Sequence, residues 1–186
     1  MRTLSNVIGV DDAPFPARHS GSVKVVGAVY ARNRLDGILV GEVEKDGTDG
    51  ARKISELISG SKFAGSVQPI MLQGVALAGF NVVDVFFLHA TLGLPVLVVS
   101  RKIPDLKKVK QALLNLPGGA EKWDLIQRLG PMEPVEKVHV QRVGLTLDQA
   151  AKVVQDFTLT GHIPEPLRTA HLIAGALATG QSRGRV

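Results

Sequence analysis

The sequence predicts an α/β fold, a mixed sheet in which three antiparallel strands are extended by two parallel ones, with helices on both faces. Three observations predict it. Residues 6–44 hold three strand-like runs with short connections, which is how an antiparallel meander begins. From residue 50 onward, apolar residues at helical spacing alternate with short continuous apolar runs. Right-handed crossovers through those helices then set the fourth and fifth strands parallel to the first.

The first strand is Asn6-Val7-Ile8-Gly9-Val10-Asp11-Asp12. Val7, Ile8 and Val10 are strand formers in a run too short for a helix, and Ala13-Pro14-Phe15-Pro16 forbids the strand from continuing. Two carboxylates therefore sit at its C-terminal end. Strand side chains alternate, so Asp11 and Asp12 point to opposite faces, and only one can face a given site. Asp11 is favoured, because ligands and metals collect at the C-terminal ends of parallel strands; an Asp pair here also suits the opening of a turn.

Residues 22–31 and 35–44 form a hairpin about Arg32-Asn33-Arg34. Ala51, Ile54, Leu57 and Ile58 then give a helix, capped by Thr48 or Asp49 and ended by Gly60. Residues 67–72 are the fourth strand, with Pro69 near its start and Gln73-Gly74 at its close. Residues 82–88 are apolar almost all round, which predicts a buried helix with Asp84 as the exception. Pro95-Val-Leu-Val-Val99 is the continuous apolar run of a parallel strand covered on both faces, followed by Ser100-Arg101-Lys102. An amphipathic helix over 105–116 turns Leu106, Val109, Leu113 and Leu116 inward and Lys107, Lys108 and Lys110 outward. After Pro117-Gly118-Gly119 come a helix over 120–129 carrying Trp123 and one more strand over 135–143. Thr146 and Gln149 have capping-box spacing ahead of a further helix, and a last helix runs over about 166–177.

Composition narrows the chemistry. At 186 residues and 45% hydrophobic, the chain buries one core and is expected to be a single domain. It has no run of 18 apolar residues, and its first residues lead into a strand without a signal-like apolar region, so the expected location is the cytoplasm. With no cysteine, a metal must be held by Asp, Glu, Gln, Asn or His, and oxygen ligands favour magnesium or manganese. The net charge of +5 is uneven: residues 1–100 carry nine basic and nine acidic side chains, residues 101–186 thirteen and eight. The surplus in the second part suits a polyanion such as nucleic acid, or solubility alone. Gly180-Gln181-Ser182-Arg183-Gly184 has the Gly-x-Ser-x-Gly spacing of serine hydrolases but follows a helix, where a nucleophile elbow follows a strand. No phosphate-binding loop or dinucleotide fingerprint follows any strand.

The strand and helix order is that of ribonuclease H-like proteins, and several motifs narrow it further. Ile8-Gly9-Val10-Asp11 resembles the metal-binding strand of endonuclease V, Gln73-Gly74 its Asp-Gly after the fourth strand, and 95–101 its next strand ending in a basic residue. Pro164-Glu165-Pro166-Leu167-Arg168-Thr169-Ala170-His171 resembles its Pro-Glu-Pro-x-Arg-x-Ala-Asp/His. Val-Ile-Gly-Val-Asp-Asp-Ala-Pro-Phe near the start, Ala78-Gly79-Phe80-Asn81-Val82-Val83-Asp84 and the closing Gly-x-Ser-x-Gly-Arg are similar to an archaeal family of unknown function related to endonuclease V.

The resemblance implies metal-assisted phosphodiester hydrolysis of DNA or RNA. Asp11 is then the principal ligand, with Gln73 and one of Asp46 and Asp49 beside it, Glu44 being close enough to leave the register open. His171 activates or shuttles a proton to water, and Arg101 and Arg168 bind phosphate. Two departures stand out. Gln73 replaces an Asp, and a neutral amide oxygen is a poorer magnesium ligand than a carboxylate. The Pro-Tyr-x-Pro wedge with which endonuclease V parts a duplex has no aromatic counterpart in the turn Ala31-Arg32-Asn33-Arg34-Leu35, whose arginines are expected to contact a nucleic-acid backbone. The alternative is therefore a nucleic-acid-binding protein on a nuclease fold without turnover; a scaffold self-associating through 82–88 is a third reading. A homo-oligomer is compatible with each of them.

Overall fold

The computed structural model describes residues 4–183, so Gly184 and Arg185 of the closing Gly-x-Ser-x-Gly-Arg lie outside the described residues. A seven-stranded sheet has the order β3-β2-β1-β4-β7-β9-β8. Its strands are β1 (Asn6–Asp12), β2 (Ser22–Ala31), β3 (Arg34–Glu44), β4 (Ile70–Gln73), β7 (Val96–Ser100), β8 (Glu133–Val135) and β9 (Val138–Val143), with β5 (Ala76–Leu77) and β6 (Asn81–Val82) forming a small hairpin apart. The helices are α1 (Gly50–Ser59), α2 (Val85–Leu92), α3 (Leu106–Leu114), α4 (Gly119–Leu129), α5 (Leu147–Phe157) and α6 (Glu165–Thr179). β1 is antiparallel to β2, and β4 and β7 continue parallel to β1, so the expected five-strand core and its central first strand are present.

The buried faces follow from the alternation. Val7, Ile8 and Val10 are fully buried, because β1 is covered on both sides. On the face of Gly9 and Asp11 lies α6, so close that a Cβ on Gly9 would stand 2.3 Å from the Pro166 carbonyl carbon. The opposite face receives α1, whose Leu57 meets Gly41 of β3. The Thr146–Gln149 capping box forms as expected at the start of α5.

Four expectations are corrected. Residues 82–88 are not one buried helix: Asn81–Val82 pairs with Ala76–Leu77, and the helix starts only at Val85. Asp84 is its N-cap, accepting from the Phe86 and Phe87 amides, and Phe87 is 44% exposed. The 135–143 run is two strands bent at Glu136 (φ 51°), and it extends the main sheet beyond β7. The fourth strand is shorter than 67–72, because Pro69 lies ahead of it and its carbonyl receives the Ile8 amide. Leu106 points out of α3 at 44% exposed, while Leu113 supplies the buried contact.

Candidate active site

Asp11 closes β1 with its carboxylate buried, 5% exposed, on the face covered by α6. His171 reaches it from that helix, its Nδ1 lying 2.9 Å from Asp11 Oδ2. Two spacings bring them together. From Gly9 to Asp11 the strand advances about 6.7 Å, and from Pro166 to His171 the helix advances about 7.5 Å. A glycine at the point of contact and an acid two residues on therefore meet an imidazole five residues into the helix. The other carboxylate oxygen, Oδ1, accepts from the Asp12 amide. In the tautomer whose Nδ1 donates in that contact, the lone pair of a neutral ring lies on Nε2.

Gln73 lies next to Asp11. Val10 pairs with Leu72 across the parallel β1–β4 ladder, so the residues that follow each leave the same face, about 5 Å apart. The Gln73 Oε1 is buried with no hydrogen-bond donor. An unsatisfied buried acceptor beside a buried carboxylate is a fit for a hard cation, which takes amide and carboxylate oxygens alike.

Asp46 and Asp49 have other partners. Asp46, at φ 53°, accepts at Oδ1 from the Phe80 amide, and its own amide donates to the Ala78 carbonyl. Asp49 Oδ1 accepts from the Glu44 amide and from Asn81 Nδ2, and Asn81 also receives the Gly50 amide. Both acids thus hold the 78–81 turn against the end of β3. Among the described residues no three His, Cys, Asp or Glu side chains gather closely enough to hold a metal.

Asp12, on the opposite face, grips the same turn: its Oδ2 accepts from the Ala78 amide. Burial, then the charge of Asp11, push its carboxyl up to about 6, against the lowering effect of those amides. The Ala78–Asp84 motif is therefore a structural clasp, and Gly79 (φ 83°) is required in it because a Cβ would lie 2.4 Å from Asp46 Oδ1. Lys122 completes it. This side chain is buried to 2% exposure, and its Nζ, whose pKa is lowered by desolvation, donates to the Asp46 carbonyl. The sequence does not reveal the part played by Lys122, which looks like one more solvated helix cation, or by Asn81, which stands out only as a member of the Ala78–Asp84 motif.

The arginines separate. Arg168 is locked onto the buried Glu165 by Nε and Nη2 at the start of α6, which raises its pKa. Arg32 and Arg34 lie at the far end of the sheet, because the antiparallel register sets Ala31 opposite Asn6 and Val25 opposite Asp12. They stand about 20 Å from Asp11 along the strand, and Arg34 pairs with Asp36. Arg101 lies just past β7, on the same sheet end as Asp11.

Between the ends of β4 and β7 and the α3–α4 pair lies a cavity of about 620 Å³, lined by Phe80, Val82, Trp123, Ile126, Ile103 and Leu106 among others. Its lining includes Gly74, directly after Gln73.

The sheet order and the position of the acid at the end of its central strand define an endonuclease V-like ribonuclease H fold. Endonuclease V from Bacillus subtilis superposes with a TM-score of 0.62 at 12% identity, covering 95% of this chain and 81% of that one. Endonuclease V from Ciona intestinalis, solved in complex with a 24mer DNA containing an inosine followed by a ribo-adenosine, gives 0.57 at 14% identity over 89% and 82%. The chain itself belongs to the family described as Endonuclease dU, which it matches over residues 4–178. A UPF0215 protein of the bacterium Deinococcus radiodurans is 50% identical over 98% of this chain and 93% of its own length, so relatives extend beyond the archaea. A protein of unknown function from Archaeoglobus fulgidus superposes at 0.86 with 32% identity, covering 92% and 97%. Among the described residues no helix is long and apolar enough to cross a membrane.

Proposed function

We propose that the chain is an endonuclease that hydrolyses a phosphodiester of DNA at a deoxyuridine, using Asp11 and His171. The observation that carries the reading is their contact, which pairs a buried carboxylate with an imidazole at the C-terminal end of a central parallel strand. The substrate rests on the family's description. Support for a nucleic-acid partner comes from the endonuclease V neighbour solved with DNA and from the basic second half of the chain.

Asp11 orients the ring, so that His171 Nε2 takes a proton from a water. The oxygen of that water attacks phosphorus, the new P–O bond forms, and the bond to the leaving oxygen breaks, that oxygen taking a proton from solvent while the ring later returns its own to solvent. As the ring becomes cationic, the Asp11 carboxylate stabilises it across the 2.9 Å contact. Asp11 and the Gln73 carbonyl would hold magnesium or manganese, which when bound neutralises charge on the phosphate and acidifies water. The apolar cavity beside Gly74 suits a base turned out of the stack, with Phe80 and Trp123 as its two aromatic lining groups.

The test is cleavage of deoxyuridine-containing DNA with added magnesium. Asp11→Asn is nearly isosteric and withdraws the charge, so turnover should vanish while the fold persists. Gln73→Asp restores a carboxylate and should tighten metal binding. A natural protein without turnover, with activity appearing only in Gln73→Asp, would favour the non-catalytic binding protein, for which the neutral Gln73 speaks. Unchanged metal affinity in both variants would remove Asp11 and Gln73 from the site.

A further inference from the structure

The segment after β7 is not explained by the Asp11–His171 pair. It runs Ser100-Arg101-Lys102-Ile103-Pro104-Asp105-Leu106-Lys107-Lys108, and Ile103 and Leu106 are 59% and 44% exposed with Pro104 between them. Side chains of this kind are normally withdrawn from water by their own helix, but here Asp105 caps α3 through the Lys107 and Lys108 amides and sets the helix start so that Leu106 faces out. The turn before it is fixed as well, because Ser100 Oγ donates to the Lys102 carbonyl. An apolar tip is thus held out on a braced loop. Arg101, Lys102, Lys107 and Lys108 flank it in the sequence, and the one acid among them, Asp105, serves as the cap and lies 3.9 Å from Lys108 Nζ in an exposed ion pair.

Position narrows the partner. β7 is two strands from β1, so the loop starts about 10 Å from Asp11 on the same end of the sheet. Ile103, Pro104 and Leu106 also line the cavity, as Gly74 does. A protein partner would use apolar contact without needing a ring of cations, and a phosphate backbone alone would use the cations without the apolar tip. A duplex uses both, with lysines on phosphates and a small apolar group entering a base step.

We propose that Ile103, Pro104 and Leu106 form an apolar wedge that enters the base stack of double-stranded DNA beside the target nucleotide, with Lys102, Lys107 and Lys108 seated on the flanking phosphates. The wedge keeps the stack from closing over the space left by a base that enters the cavity. This rests on the reading of the chain as a DNA endonuclease, but unstacking is separable from cleavage.

The experiment uses a duplex carrying 2-aminopurine next to a single deoxyuridine, with EDTA present so that nothing is cut. Binding of the natural protein should raise the 2-aminopurine fluorescence several-fold, as unstacking does. Ile103→Ala combined with Leu106→Ala should abolish the rise at saturating protein. Lys107→Ala with Lys108→Ala should keep the rise at saturation and reduce the slope of log affinity against log salt by about 2, one per phosphate contact. No rise with the natural protein, or an unchanged rise with the apolar double variant, overturns the proposal. So does a drop in sedimentation mass in that variant with its fluorescence unaltered, which would make the patch a contact between copies of this chain. Failure to cleave in magnesium while the rise is seen would count against the nuclease reading and leave the wedge standing.

Discussion

At the scale of single residues, the two adjacent acids have different work. Asp11 is held by its neighbour's amide and by His171, whereas Asp12 is held by the Ala78 amide in surroundings that favour the neutral form. Its folded pKa of about 6 lies above the ordinary carboxylate value, so the folded state binds the proton more tightly than the unfolded chain. Stability from this group is fully present below about pH 4 and is lost as the pH rises through about 6. Asp12→Asn keeps an acceptor for Ala78 and removes the charge. In metal-free protein it should therefore raise the melting temperature at pH 7.5 and leave it nearly unchanged at pH 4; equal shifts at both would show that Asp12 is not titrating there. His171→Ala addresses the chemistry instead. It should lower kcat by about 10² to 10⁴, the usual contribution of a positioned base, with the melting temperature little altered. A rate within threefold of the natural protein would exclude His171 as the base.

At the scale of elements, the approach of α6 to β1 decides whether the site exists. Gly9→Ala puts a methyl within 2.3 Å of backbone that has no rotamer to escape into, so α6 must move as a body. A loss of about 3 kcal/mol or more is expected, in the range of overpacked cores, with a parallel loss of activity as His171 leaves Asp11. Chemical denaturation would measure the first and single-turnover cleavage the second; full activity in a destabilised variant would mean that the pair tolerates displacement. This element-level logic was half legible in the sequence. Ile8-Gly9-Val10-Asp11 and the Pro-Glu-Pro helix could be matched to a known pattern, because a strand too short to be anything else and a proline at a helix start leave few choices. Partners across space could not be read that way. Nothing in the spacing of Asp46 and Asp49 shows that their oxygens are taken by the amide of Phe80 and the side chain of Asn81, since those bonds depend on a hairpin, β5–β6, whose second strand overlaps the start of a run that looks helical. Asp84 was the clue: an acid ahead of apolar residues caps a helix more often than it interrupts one.

At the scale of the whole molecule, the core follows from order and hydrophobicity, and the edges do not. The five strands from β3 to β7 could be placed because short connections and right-handed crossovers allow little else. β8 and β9 were missed as sheet members because antiparallel strands beyond a parallel core can join at either edge, and their register depends on the bend at Glu136. Charge acts at this scale too. The excess of thirteen basic over eight acidic residues in 101–186 includes the lysines of α3, so affinity for DNA should fall steeply as salt rises from 50 to 200 mM. A flat response in a filter-binding titration would reject electrostatic seating of the duplex.

The acid and the imidazole of the pair are separated by 160 positions of chain. On the ribosome Asp11 is made ahead of β2 to β9, and His171 follows all of them on α6. Until α6 docks on β1, the nascent chain has the carboxylate but not the imidazole that meets it. A polypeptide interrupted before residue 165 would carry every described strand of the sheet and lack the pair, so on the function proposed for that pair the order of translation itself withholds cleavage until α6 is made.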